Sequence, residues 1–124
     1  MRIPAIILTL GLILSLHAGC GKKIDTHKTA EQVRTEVASM SASQIEAEAK
    51  AYIKEIQRTR TSFEKTRSKL QGLPPQEIFG EKARSLQKEM TDITRRVSDL
   101  TECYQIYADK YEELGGDAAK IRIG

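Results

Sequence analysis

The chain has 124 residues, of which 30% are charged, 40% hydrophobic and 5% aromatic, with no tryptophan and a formal net charge of +3. Such a length and composition allow one small, polar, helix-favouring domain and exclude a large aromatic core. There are two histidines and two cysteines, and His17 and Cys20 fall in or at the edge of an N-terminal leader, which leaves too little for a metal site or a nucleophile–base pair and argues against an enzyme.

The leader opens with Met1-Arg2, followed by an apolar run of 14 residues from Ile3 to Leu16, interrupted by Pro4, Thr9, Gly11 and Ser15. A membrane span needs about 20 apolar residues, so this run fits the core of a signal peptide. It ends Leu16-His17-Ala18-Gly19-Cys20. The segment resembles the leader of a bacterial membrane lipoprotein, with Ala18, Gly19 and Cys20 matching the last three lipobox positions and His17 standing where leucine is usual. The resemblance covers the first 20 residues only and implies a processing class rather than a functional family. It implies removal of residues 1–19, lipidation of Cys20 by diacylglycerol, and acylation of the new amine, of the palmitate type. More than one chain is what makes such an anchor stable. Gly21 follows Cys20 where an aspartate often retains such proteins in the inner membrane, so the resemblance implies a lipid-anchored place in the cell envelope, at the outer membrane facing the periplasm.

Residues 20–28 read as a short polar tether between lipid and domain. From Thr29 to Gln71 there is no proline or glycine, which predicts one helix over 29–71. Gly72-Leu73-Pro74-Pro75 stops it and predicts a turn at 72–75. A second helix is expected over 75–114, closed by Gly115-Gly116, with 115–124 as a flexible C-terminal tail. The predicted fold class is therefore all-α, an antiparallel two-helix hairpin of coiled-coil type over 29–114, following the lipoprotein signal peptide.

The second helix carries an apolar stripe at alternating steps of four and three: Phe79, Ala83, Leu86, Met90, Ile93, Val97, Leu100, Tyr104, Tyr107, Tyr111 and Leu114. The first helix answers with Ala38, Ala42, Ile45, Ala49, Tyr52, Ile56, Thr59, Phe63, Thr66 and Leu70. A tight turn makes the helices antiparallel, and centring it on residues 72–75 predicts seam partners whose numbers sum to about 146, such as Ile56 with Met90 and Phe63 with Ala83. Two helices leave the seam's edges uncovered. A second apolar strip at Val33, Val37, Met40, Ala47 and Ala51 therefore reads either as scattered surface residues or as a contact surface for a partner.

Charge divides along the predicted hairpin. Residues 24–49 hold two basic against five acidic residues, residues 97–119 one against six, and residues 50–96 twelve against six. The basic half reads either as a solvated face or as an attraction for an acidic partner or envelope polymer, with Arg58, Arg60 and Arg67 as candidate contacts. It lacks interleaved aromatics, so nucleic acid is not an expected partner. Cys103, the one thiol left after lipidation, reads as a buried small hydrophobe or as an intermolecular disulfide partner. His27 stands alone in the tether, so no metal or other cofactor and no small-molecule substrate is expected. The sequence thus points to a non-catalytic, lipid-anchored helical-hairpin scaffold or adaptor that binds an envelope protein or a second copy of itself. The alternatives are a binding module for an anionic envelope polymer and a small immunity- or lysis-type lipoprotein.

Overall fold

A computed structural model describes residues 23–124 as an all-helical chain. Three helices follow in order: α1 over Ala30–Val37, α2 over Ala42–Gln71 and α3 over Glu81–Glu113, with short 3-10 turns at Pro75–Glu77 and Ala118–Ile121. The predicted leader, residues 1–19, and the predicted lipidation site Cys20 lie outside the described residues.

Helices α2 and α3 form the antiparallel hairpin, but the predicted first helix is not continuous. It breaks at residues 38–41, where Ser39 and Met40 donate back to the carbonyls of Glu36 and Val37. Each half has its own capping box. Thr29 Oγ1 accepts from the Gln32 amide at 3.2 Å while Gln32 Oε1 accepts from the Thr29 amide at 2.9 Å, and Ser41 and Gln44 repeat the exchange at the start of α2. The break folds α1 back against α3, where Val33 and Val37 are buried. Burying two valines is worth about 3 to 6 kcal/mol, more than the few helical hydrogen bonds that the turn forgoes.

The turn between α2 and α3 is longer than predicted. Gly72 caps α2, the 3-10 turn follows Pro74, and Gly80, in an extended conformation, caps the start of α3. The centre of the hairpin therefore moves from residues 73–74 to about residue 78, and the register shifts with it. The observed pairs are Thr66 with Glu89, Tyr52 with Tyr107 and Glu46 with Tyr111. Their numbers sum to about 157 instead of the predicted 146. Phe79, placed by the predicted stripe on the seam, is instead exposed in the turn, and Leu114 is exposed at the far end.

The core lies at one end of the hairpin, the end that carries α1. It comprises Val33, Val37, Ile45, Ala49, Tyr52, Ile56, Leu100, Cys103, Tyr107, Tyr111 and Ile121. The predicted flexible tail supplies the last of these. α3 ends in a Schellman motif, with Gly116 donating to the Tyr111 carbonyl at 2.8 Å and Gly115 to the Glu112 carbonyl at 2.9 Å, Gly115 having φ +83°. The chain then turns back, buries Ile121, and is held there by the Tyr104 hydroxyl, which donates to the Ile121 carbonyl.

Candidate functional site

Away from that core the hairpin is two helices with nothing over them. Thr66, Ala83 and Leu86 are buried between the helices there, but Thr59, Phe63, Leu70, Met90, Ile93 and Val97, which continue both stripes toward the turn, stay only half-buried. On the face of Phe63 and Leu70 an apolar groove opens. Phe63 and Thr94 join its two parts, of about 400 and 650 Å³, and Leu70, Met90 and Val97 supply the rest of its floor. Arg60 and Glu64 border it on α2 and Arg95 on α3. Arg67 follows Arg60 by one heptad and so continues that rim.

The opposite face is polar and receives the N-terminal segment. Lys28 bonds through its carbonyl to the Cys103 thiol at 3.5 Å, and its ammonium lies 2.8 Å from Glu36 and 3.9 Å from Glu48. Arg96 donates to the Thr26 carbonyl at 2.9 Å. Residues 23–27 line a depression together with Glu55 and Arg58. Read backwards from α1, the partners advance from Glu48 to Arg58 on α2 and from Cys103 to Arg96 on α3. Residues 23–28 of the predicted tether therefore lie against the hairpin and, read backwards, lead away from the core end toward the turn.

Beneath it is a polar node. Tyr52 and Tyr107 meet with ring centroids 5.4 Å apart, and their hydroxyls and Glu48 Oε2 are buried without a hydrogen-bond partner. Burial pushes both phenols far above their ordinary range and raises the Cys103 thiol. Burial also raises the Glu48 carboxyl, outweighing the opposite pull of Lys28. For Lys28 burial acts against the charge, but the bond to Glu36 and the field of Glu48 prevail and hold the ammonium above its usual pKa. Buried phenols and a thiol held protonated favour rigid packing over nucleophilic chemistry.

The predicted partner strip is corrected by this packing. Val33 and Val37 are buried against α3 and Met40 is partly buried on the same core, because the turn at 38–41 gives them a partner within the chain. Arg58, Arg60 and Arg67 are exposed as expected, but on different faces: Arg58 beside the N-terminal segment, Arg60 on the rim of the apolar groove. The groove was not singled out from sequence. In the observed register Phe63 faces α3 near Thr94, and no third element among the described residues covers the pair. No helix among the described residues is long and apolar enough to cross a membrane, and no group of three or more His, Cys, Asp or Glu among them could hold a metal ion. Comparison with known protein families, with curated proteins and with solved structures finds no match.

Proposed function

We propose that the chain is a non-catalytic, lipid-anchored adaptor of the bacterial cell envelope, held at the outer membrane through Cys20 and facing the periplasm. The observation that carries the adaptor reading is the apolar groove over Phe63, Leu70, Met90 and Val97, left open in a chain that covers its other apolar strips with α1 and the C-terminal tail. A third helix laid in that groove would complete the packing that the core end already has. Arg60 on one rim and Arg95 on the other, with Glu64 neutralised by Arg67 at 3.2 Å, favour an amphipathic helix of an envelope protein with acidic residues flanking its apolar face.

The test places a photo-reactive amino acid at Thr94, in the groove floor, in cells that make the lipidated protein. A cross-link to an acidic helix of another envelope protein, lost with Arg60→Glu and Arg95→Glu together, is the expected result. A cross-link only between two copies of the chain makes the adaptor a homodimer, and no cross-link at all removes the groove as the contact surface. Mass spectrometry of the same protein should show a chain that begins at Cys20 with added acyl mass.

A further inference from the structure

We propose that the basic half of the hairpin lies against an anionic lipid bilayer, so that the protein rests along the membrane instead of standing off from it on a tether. The proposal rests on the lipid anchor at Cys20 and specifies how the domain sits once anchored. Three observations converge on it.

The first is where the chain leaves the fold. Residue 23 lies beside Glu55 and Arg58, with the segment behind it fixed to Arg96 and Cys103. Three residues from Lys23 back to Cys20 span at most about 10 Å. An anchor at Cys20 would thereby be held within that reach of residue 23, which lies at the start of the basic half.

The second is charge. Residues 50–96 carry twelve basic residues against six acidic ones. On the side from which the chain leaves, a second, polar groove is charge-balanced, with Arg58 paired to Glu55, Lys88 to Asp92, and Arg96 and Glu89 beside them, so the excess lies on the helix face beyond it. Lys65, a heptad beyond Arg58, and Lys69, a heptad beyond Ser62, extend the line toward the turn. Among the described residues no carboxylate lies within 4.0 Å of Lys54, Arg60, Lys65, Lys69 or Arg84. Cations without a carboxylate partner, held within a Debye length of anionic headgroups, are attracted to them.

The third is the tip. Ile78 is 47% and Phe79 90% exposed in the turn that ends the basic half. They stand between Glu77 and Glu81, with Lys82 4.0 Å from Glu77, so the tip offers apolar side chains for the headgroup boundary rather than net positive charge.

The experiment uses the mature lipidated protein on vesicles of phosphatidylcholine, with and without about 30% phosphatidylglycerol. A fluorophore is attached through a cysteine at Ser85, in the basic half, or at Ser43, at the core end, and quenched by headgroup-labelled lipid. The expected result is at least about twofold stronger quenching at 85 than at 43 on anionic vesicles, a difference that shrinks at about 0.5 M salt and in the Arg58→Glu, Lys65→Glu, Lys69→Glu variant while flotation persists. Equal quenching at the two positions, or stronger quenching at 43, overturns the proposal. Failure of the anchor reads differently: an unacylated Cys20 would abolish flotation on neutral vesicles. Salt-sensitive flotation of that unacylated chain on anionic vesicles still supports the proposal, and its absence there overturns it.

Discussion

Arg96 reaches from α3 to the Thr26 carbonyl, 2.9 Å away, and so fixes the direction in which the N-terminal segment leaves the domain. A guanidinium bonded to a backbone carbonyl, here with the Thr26 hydroxyl 3.4 Å away as well, is worth about 1.5 to 3 kcal/mol. Arg96→Ala should therefore leave the hairpin folded with a stability loss of that order, while amide exchange accelerates selectively over residues 24–28. Hydrogen-exchange mass spectrometry reads both. Unchanged protection of that segment would show that Arg96 does not hold it.

The stability of the hairpin is concentrated at the end that carries α1. Leu100 is fully buried, so Leu100→Ala should cost about 2 to 4 kcal/mol by urea denaturation. Val33→Ala should also be felt, at about 1 to 2 kcal/mol, because that valine is fully buried against α3. Phe63→Ala, in the open groove, should cost clearly less than Leu100→Ala. Equal losses at 63 and 100 would mean that something covers the groove in solution.

Much of this arrangement is legible in the sequence. Ile45, Ala49, Tyr52, Ile56, Leu100, Tyr107 and Tyr111 are seam positions by spacing and buried in the fold, because a sustained alternation of four and three can be satisfied only by one face of a helix. The register is not legible from the stripe alone, since a slide by a run of its own four- and three-residue steps, here about eleven residues, still sets apolar positions against apolar positions. It depends on the turn, where Phe79 continues the spacing by chance while Gly80 starts α3. The break at 38–41 hides in residues that suit a helix well. Its signals are local: the Thr29–Gln32 and Ser41–Gln44 capping boxes mark two helix starts within one uninterrupted polar run. That Val33 and Val37 find their partner inside the chain follows only after the break is placed.

The C-terminal return depends on two adjacent glycines for different reasons. At Gly116 a Cβ would lie 2.5 Å from the Tyr111 ring, so Gly116→Ala must displace a ring that also bonds Glu46 at 3.1 Å. A cost of about 1 to 3 kcal/mol is expected, with loss of protection at Ile121. At Gly115 nothing crowds a Cβ, and only the positive φ is at stake. Gly115→Ala should cost about 1 to 2 kcal/mol. Calorimetry of the two variants separates clash from backbone strain.

Glu48 makes stability depend on pH in a definite sense. Burial raises its carboxyl in the folded chain, outweighing the attraction of Lys28. A raised folded pKa gives a contribution that is fully present below the unfolded value and is lost as pH rises through the folded one. Glu48→Gln removes that loss. Its stability relative to the wild type should therefore improve on going from pH 4 to pH 8, as read by thermal unfolding at both values. A relative decline over the same interval would mean that the pairing with Lys28 dominates.

The path of the N-terminal segment is tested by a pair of distances. Spin labels at residues 23 and 62, and separately at 23 and 43, are measured by pulsed dipolar spectroscopy in a Cys103→Ser background, which keeps a donor for the Lys28 carbonyl. Residue 23 lies beside Arg58, so the 23–62 distance should be shorter than the 23–43 distance by on the order of 10 Å, given a rise of about 1.5 Å per helical residue. A 23–62 distance equal to or longer than the 23–43 distance would contradict the path, and with it the proposal that a lipid anchor at Cys20 lies beside the basic half.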